Sequence, residues 1–189
     1  MKNKPAGKSI IVGVTGSIAA YKACEVVSCL RKDGYDMKVI MTEAAKNFIT
    51  PLTLQTLSGN RVYAGGMFET VAWQPEHVGL AETAGLILIA PASADVIAKL
   101  AAGIADELLT CVVLAARCPV VIAPAMNENM YLNKITQGNI KKLSAAGFEF
   151  ITPGKGWLAC GSEGTGRLAE PQIIVKRVKE ILGRKTSSK

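Results

Sequence analysis

One histidine, His77, five cysteines without a single CxxC pair, and charged residues at only 20% of 189 positions mark this sequence first by what it is short of. An odd cysteine count with no paired spacing argues against a disulfide framework and for a reduced, cytoplasmic chain, and no metal ligation is expected. No apolar stretch reaches the ~20 residues that span a bilayer. There is no internal repeat, no low-complexity segment and no basic helix. The formal charge of +7 does not point to nucleic acid, because Lys2, Lys4, Lys8, Arg184, Lys185 and Lys189 sit in the two ends. Without those six, the 22 basic residues fall to 16 against 15 acidic ones, and the body of the chain is close to neutral.

What is present is enough apolar material for a core, 49% of the residues, in a length that suits one domain. The expectation is a tail over 1–7, one domain over 8–182 and a second tail over 183–189. Ser9 to Val14 is a branched apolar run that breaks at Thr15-Gly16-Ser17, as a buried parallel strand does at a turn. Ala19, Ala23, Val26, Val27 and Leu30 then recur at three- and four-residue spacing until Asp33-Gly34, which is helical periodicity with a stop. Further strands are expected at Met37–Met41, Leu86–Ala90, Val120–Ala123 and Phe148–Ile151. Helices are expected around Ala44–Phe48, Pro51–Ser58, Ala94–Ala101, Glu107–Ala116, Ile135–Ala146 and Pro171–Leu182. Strands alternating with helices predict an α/β fold, a single Rossmann-like or flavodoxin-like three-layer domain with a parallel sheet. Asn60–Glu82 and Thr152–Glu170 break the alternation and read as irregular, functional segments.

In such sheets ligands bind beyond the carboxyl ends of the strands. Gly13, Gly16 and Ser17 stand at the first strand-to-helix turn, where small residues let a phosphate reach backbone N–H groups. The spacing is not a full GxGxxG fingerprint and no acid closes the second strand, so a mononucleotide fits better than NAD. Thr42 and Ser93 end two other strands on the same side. Each of these hydroxyls reads equally well as a helix cap.

Four strings resemble the homo-oligomeric flavin-containing cysteine decarboxylases: Gly16-Ser17-Ile18-Ala19-Ala20-Tyr21-Lys22; His77-Val78-Gly79-Leu80; Ala90-Pro91-Ala92-Ser93-Ala94-Asp95 with Gly103-Ile104-Ala105-Asp106-Glu107-Leu108-Leu109-Thr110; and Pro124-Ala125-Met126-Asn127-Glu128-Asn129-Met130-Tyr131. A fifth, Ala159-Cys160-Gly161 through Gly166-Arg167-Leu168-Ala169-Glu170-Pro171, resembles that family's substrate-covering flap. The resemblance runs from about Lys8 to Leu182. Tyr131 departs from it, standing where tryptophan is expected, and the sequence ends without the synthetase domain fused in many bacterial relatives.

The resemblance implies FMN as cofactor and decarboxylation of 4'-phosphopantothenoylcysteine to 4'-phosphopantetheine in coenzyme A biosynthesis. The substrate passes through a thioaldehyde and an aminoenethiolate. It also implies a homotrimer or an assembly of trimers with the site shared across an interface, and a separate phosphopantothenoylcysteine synthetase as a possible partner. An electron sink is needed in any case, because loss of CO2 from an acylated cysteine leaves an unstabilised carbanion. His77 is then the residue of the oxidative and decarboxylating stage, with a side chain suited to proton transfer near neutral pH. Asn127 recognises the substrate carboxylate through an amide that donates and accepts, although it stands equally well as a helix cap. Cys160 protonates the enethiolate. Gly16, Ser17, Thr42, Ala92, Ser93, Asp95 and Asp106 are the expected cofactor contacts, with Asp106 also readable as a cap. Met130 and Arg167 join Asn127 on the substrate, and Met126 packs the pocket. Two rivals remain: a peptidyl-cysteine decarboxylase, and a non-catalytic flavin-binding regulatory subunit. The joint presence of His77, Asn127 and Cys160 argues against the second.

Overall fold

The computed structural model of the chain describes residues 9–64, 76–157, 161 and 163–184. Its first strand, β1 (Ser9–Val14), is buried along its whole length. After it come α1 (Ala20–Lys32), β2 (Met37–Met41), a 3-10 turn (Glu43–Asn47), α2 (Pro51–Ser58), β3 (Val62–Tyr63), α3 (Glu76–Thr83) and β4 (Ala84–Ala92). The second half adds α4 (Ala94–Ala102), α5 (Leu108–Ala115), β5 (Val120–Pro124), α6 (Glu128–Leu132), α7 (Lys134–Ala145) and β6 (Glu149–Phe150). It ends with the hairpin β7 (Gly154–Trp157) and β8 (Glu163–Arg167), then α8 (Pro171–Arg184).

Six strands form one parallel sheet in the order β3-β2-β1-β4-β5-β6. With the two-residue edge strand β3 this is the Rossmann order, and without it the order is flavodoxin-like. Both halves of the expected fold description therefore hold. Alternate residues of each strand serve opposite faces. Ile10, Val12 and Val14, with Leu86 and Leu88, pack under α1 and α8, while Ile11, Ile87 and Ile89 pack under α4 and α5. Two-faced burial is why these strands read as continuous apolar runs. Leu86, Ile87, Leu88 and Ile89 are all fully buried, and each contributes about 1.5–3 kcal/mol, so β4 is the mechanical centre of the sheet. On α8, Ile174, Val178 and Ile181 recur at helical spacing and close the face shared with α1.

Three expectations are refined. The stretch expected to be irregular from Asn60 contains β3 and nearly all of α3. Neither carries a strong local pattern, since β3 is two residues long and Gly79 interrupts α3, which is held by packing on α5. The stretch expected to be irregular from Thr152 contains an antiparallel hairpin, whose glycines hide the alternation of a strand. The last strand shortens to Glu149–Phe150 at the sheet edge. Among the described residues no helix is long and apolar enough to cross a membrane.

The candidate active site at the carboxyl edge of the sheet

The sheet order reverses between β1 and β4, and that is where the strand ends separate to leave a crevice. Thr15 pins the two strands there. Its hydroxyl donates to the Pro91 carbonyl at 2.8 Å and accepts the Ser93 N–H at 2.8 Å, and the residue is fully buried. A buried hydroxyl so satisfied sets the spacing of the β1–α1 and β4–α4 turns. Beyond them opens a cavity of about 670 Å³, within the usual range of about 300–1,000 Å³ for small-molecule sites. Gly16, Ser17 and Ile18 line it from the first turn, Ser93 and Ala94 from the start of α4, and Ala125, Met126, Asn127 and Met130 from the β5–α6 connection. Trp157 and residues 166–168 line it from the hairpin.

Two glycines of the first turn answer to packing before they answer to any ligand. A Cβ on Gly13 would stand 2.6 Å from Leu109 Cδ1, and one on Gly16 would stand 2.6 Å from Ala44 Cβ. Gly16 is nevertheless on the cavity wall. No hydrogen bond within the described residues takes the backbone N–H groups of Gly16, Ser17 or Ile18. Three N–H groups at a helix start with no protein acceptor are what an anion requires. Two of the hydroxyls offered as ligands or caps are caps here, Thr42 Oγ1 accepting the Ala45 N–H and Ser93 Oγ the Val96 N–H, while Ser17 Oγ accepts the Ala19 N–H within the turn that precedes α1, each at 3.3 Å. An accepting hydroxyl keeps its own O–H to donate. Ser93 can therefore serve cap and ligand together, and Ser17 turn and ligand, whereas Thr42 is buried away from the cavity lining.

Asn127 caps α6, its Oδ1 accepting the Asn129 N–H at 2.9 Å. That bond fixes the orientation of the carboxamide, with its oxygen turned to the start of α6 and its NH2 group as the donor side. The charged residues on the cavity lining are both cations, Lys22 and Arg167. Lys22, with 10% of its side chain exposed, places Nζ 3.1 Å from Glu170 Oε2, and Arg167 Nη2 lies 3.2 Å from Glu170 Oε1. One carboxylate thus serves two cations and ties the hairpin to α1. Sequence reasoning missed Lys22 and Glu170. The signal was there, since Lys22 falls on the apolar stripe between Ala19 and Val26.

The remaining expected residues lie elsewhere. Ala92 ends β4, fully buried, and its carbonyl accepts the Ala125 N–H at 3.0 Å. Asp95 and Asp106 surround Lys99 at 3.6 and 3.1 Å and are not on the cavity lining. His77 stands half-buried in the first turn of α3, also off that lining. Tyr131 is half-buried on α6 and off the lining as well. Cys160 lies outside the described residues.

Next to Lys99, burial pushes the Glu107 carboxyl above its ordinary value; Lys99 pulls it back, and Asp106 and Asp95 push it further up. One of its oxygens, Oε1, is buried without a hydrogen-bond partner. A carboxyl raised on folding favours the folded state while protonated, and that advantage is lost as pH rises from the ordinary carboxylate range through the raised value. Glu107→Gln removes the slope. Thermal unfolding of both proteins from pH 4 upward is expected to show the variant gaining on the wild type as pH rises; parallel curves would exclude a raised Glu107.

Fold and site together define an open α/β protein with a crevice at its topological switch point whose lining suits an anionic small molecule. The flavoprotein family model matches residues 1–183, and the chain belongs to that family. It is 48% identical over 177 residues to the probable phosphopantothenoylcysteine decarboxylase of Streptococcus mutans, covering 93% of this chain and 99% of that protein. It is 45% identical over 179 residues to the coenzyme A biosynthesis bifunctional protein CoaBC of Haemophilus influenzae, covering 95% of this chain. The chain spans 45% of that relative's length. Among solved structures, a mutant PPC decarboxylase complexed with pantothenoylaminoethenethiol superposes with a TM-score of 0.82 at 28% identity, over 92% of this chain and 97% of the other. The FMN-dependent cysteine decarboxylase SpaF gives 0.82 at 30% identity, over 96% and 98%.

The residues present fit the flavin that the family implies. The first turn supplies unclaimed N–H donors to a phosphate, and Tyr21 and Trp157, exposed by 61% and 72%, supply aromatic surface at the cavity for a ring.

Proposed function

We propose that this chain is an FMN-dependent decarboxylase that converts 4'-phosphopantothenoylcysteine to 4'-phosphopantetheine and CO2. The observation that carries the reading is one cavity wall on which the Asn127 amide and two cations, Lys22 and Arg167, face an anion cradle at the β1–α1 turn. The cradle is left to the FMN phosphate, while the amide and the two cations suit a substrate that carries both a carboxylate and a phosphate. When bound, FMN would supply the reversible two-electron redox chemistry that loss of CO2 from this substrate requires. Gly16, Ser17 and Ser93 hold the cofactor in this reading, with Thr42, Ala92, Asp95 and Asp106 supporting the turns around it.

Asn127 donates its amide N–H to the substrate carboxylate and orients it for loss as CO2. His77 handles the proton of the oxidative stage. Because it stands off the cavity lining of its own chain, it reaches the substrate from a neighbouring copy, in a homotrimer or an assembly of trimers. Cys160 delivers the proton to the enethiolate that decarboxylation leaves, and Met130 and Arg167 hold the rest of the substrate. Burial pushes the Cys24 and Cys111 thiols up and keeps them out of the chemistry. We further propose residues 8–182 as one domain, with tails on either side. The enzyme works in the cytoplasm beside a phosphopantothenoylcysteine synthetase, as the bifunctional relative's name supports.

The test is to supply flavin-loaded protein with phosphopantothenoylcysteine and follow CO2 and product by mass. A cysteine-terminated peptide and the dephosphorylated substrate serve as competing substrates. Product from the phosphorylated compound alone is expected. Faster turnover of the peptide would overturn the substrate assignment, and no turnover of any of the three would overturn the activity.

A further inference from the structure

Asn127 sits between two residues that grip the same strand. On one side the Met126 N–H donates to the Gly166 carbonyl at 2.9 Å; on the other, Glu128 Oε1 accepts the Thr165 N–H at 2.7 Å. Strand β8 is thereby fastened to the loop that carries Asn127. Its glycines make room for this. A Cβ on Gly166, where φ is +142°, would collide with the Met126 carbonyl, and one on Gly164 would lie 2.5–2.8 Å from the Glu128 carboxyl atoms. Gly164 has no positive φ, so the Glu128 carboxylate is what a methyl group there would displace.

We propose that Glu128 is a positioning residue: its carboxylate clasps β8 and holds the cavity-lining residues 166–168 in register with Asn127. This rests on the function proposed above. A charge-assisted hydrogen bond to a backbone amide is roughly twice as strong as a neutral one, and the clasp uses a side chain where a continuous ladder would use main chain. Strand β8 is five residues long and pairs only with β7 in its own two-stranded sheet, so the grip on residues 126–128 decides where Arg167 stands. Glu128 is itself off the cavity lining. It acts through Asn127 on one side and Arg167 on the other.

The experiment uses the flavin-loaded protein and three variants, Glu128→Ala, Glu128→Gln and Gly164→Ala. Amide exchange at Thr165, followed by mass spectrometry or NMR, reads the clasp without turnover. Exchange is expected to rise about tenfold in the Glu128→Ala protein, the effect of losing one hydrogen bond to a charged group. It should fall between wild type and the alanine variant in the Glu128→Gln protein, whose neutral amide oxygen accepts the same N–H more weakly. With phosphopantothenoylcysteine, KM is expected to rise about tenfold in the alanine variant with kcat changed less, and to recover in part in the glutamine variant. Gly164→Ala should copy Glu128→Ala, and the double variant should be no worse than either alone because the carboxylate that excludes the methyl is gone.

Unchanged Thr165 exchange in the Glu128→Ala protein would disprove the clasp. Faster exchange with an unchanged KM would disprove its role in positioning, as would additive effects in the double variant. If the wild-type protein does not turn over this substrate, the proposed function fails, while the exchange measurements still decide whether Glu128 holds β8.

Discussion

Asn127→Asp is expected to leave the fold and flavin content unchanged and to lower kcat/KM by about 10³-fold. Aspartate caps a helix as well as asparagine does, so the bond from the Asn129 N–H to position 127 survives and the unfolding temperature should barely move. The loss is confined to the ligand side. Donation to a charged carboxylate, worth about 1.5–3 kcal/mol, disappears, and a like-charge repulsion of up to about 4 kcal/mol at close range in a site of intermediate dielectric replaces it. Asn127→Ala is the useful contrast, because it removes donor and cap together and should cost about 1 kcal/mol of stability as well. Steady-state kinetics beside thermal unfolding separates the two. Wild-type-like turnover in the Asn127→Asp protein would remove Asn127 from carboxylate recognition.

His77→Asn is expected to lower turnover by about 10²–10⁴-fold, the usual contribution of a positioned acid or base, with flavin still bound. The more telling experiment mixes this variant with Asn127→Asp. If His77 acts in the cavity of a neighbouring copy, randomly co-assembled chains should recover about a quarter of wild-type activity, since one chain in two supplies each intact group. If His77 acts in its own chain's cavity, every site in the mixture carries a defect and no activity returns. The first outcome is expected because α3 holds His77 off the lining that Asn127 shares with Ser17 and Ser93.

Most of the scaffold was legible in advance. Ser9–Val14 and Met37–Met41 are strands at the expected boundaries, because two-faced burial leaves an unbroken branched apolar run that local sequence displays. Helix α8 was equally legible from its spacing, ending two residues later than expected. The hairpin was not. Its strands carry glycine where the alternation would show, and what fixes them is contact with Met126 and Glu128, residues about forty positions away. Thr15 was passed over for a related reason: as the residue after an apolar run it reads as part of a turn, and only β4 lying alongside gives its hydroxyl two partners.

The sequence by itself determined the layered α/β scaffold, the gathering of Gly16, Ser17, Ser93 and Asn127 at one edge of the sheet, and the family, because periodicity and motif order are properties of the linear chain. Tertiary structure decided the rest. It committed the Asn127 oxygen to a cap, set one carboxylate, Glu170, between Lys22 and Arg167, and held His77 away from the cavity. Each depends on distances between groups far apart in sequence, which exist only once the sheet has brought its strand ends to one edge.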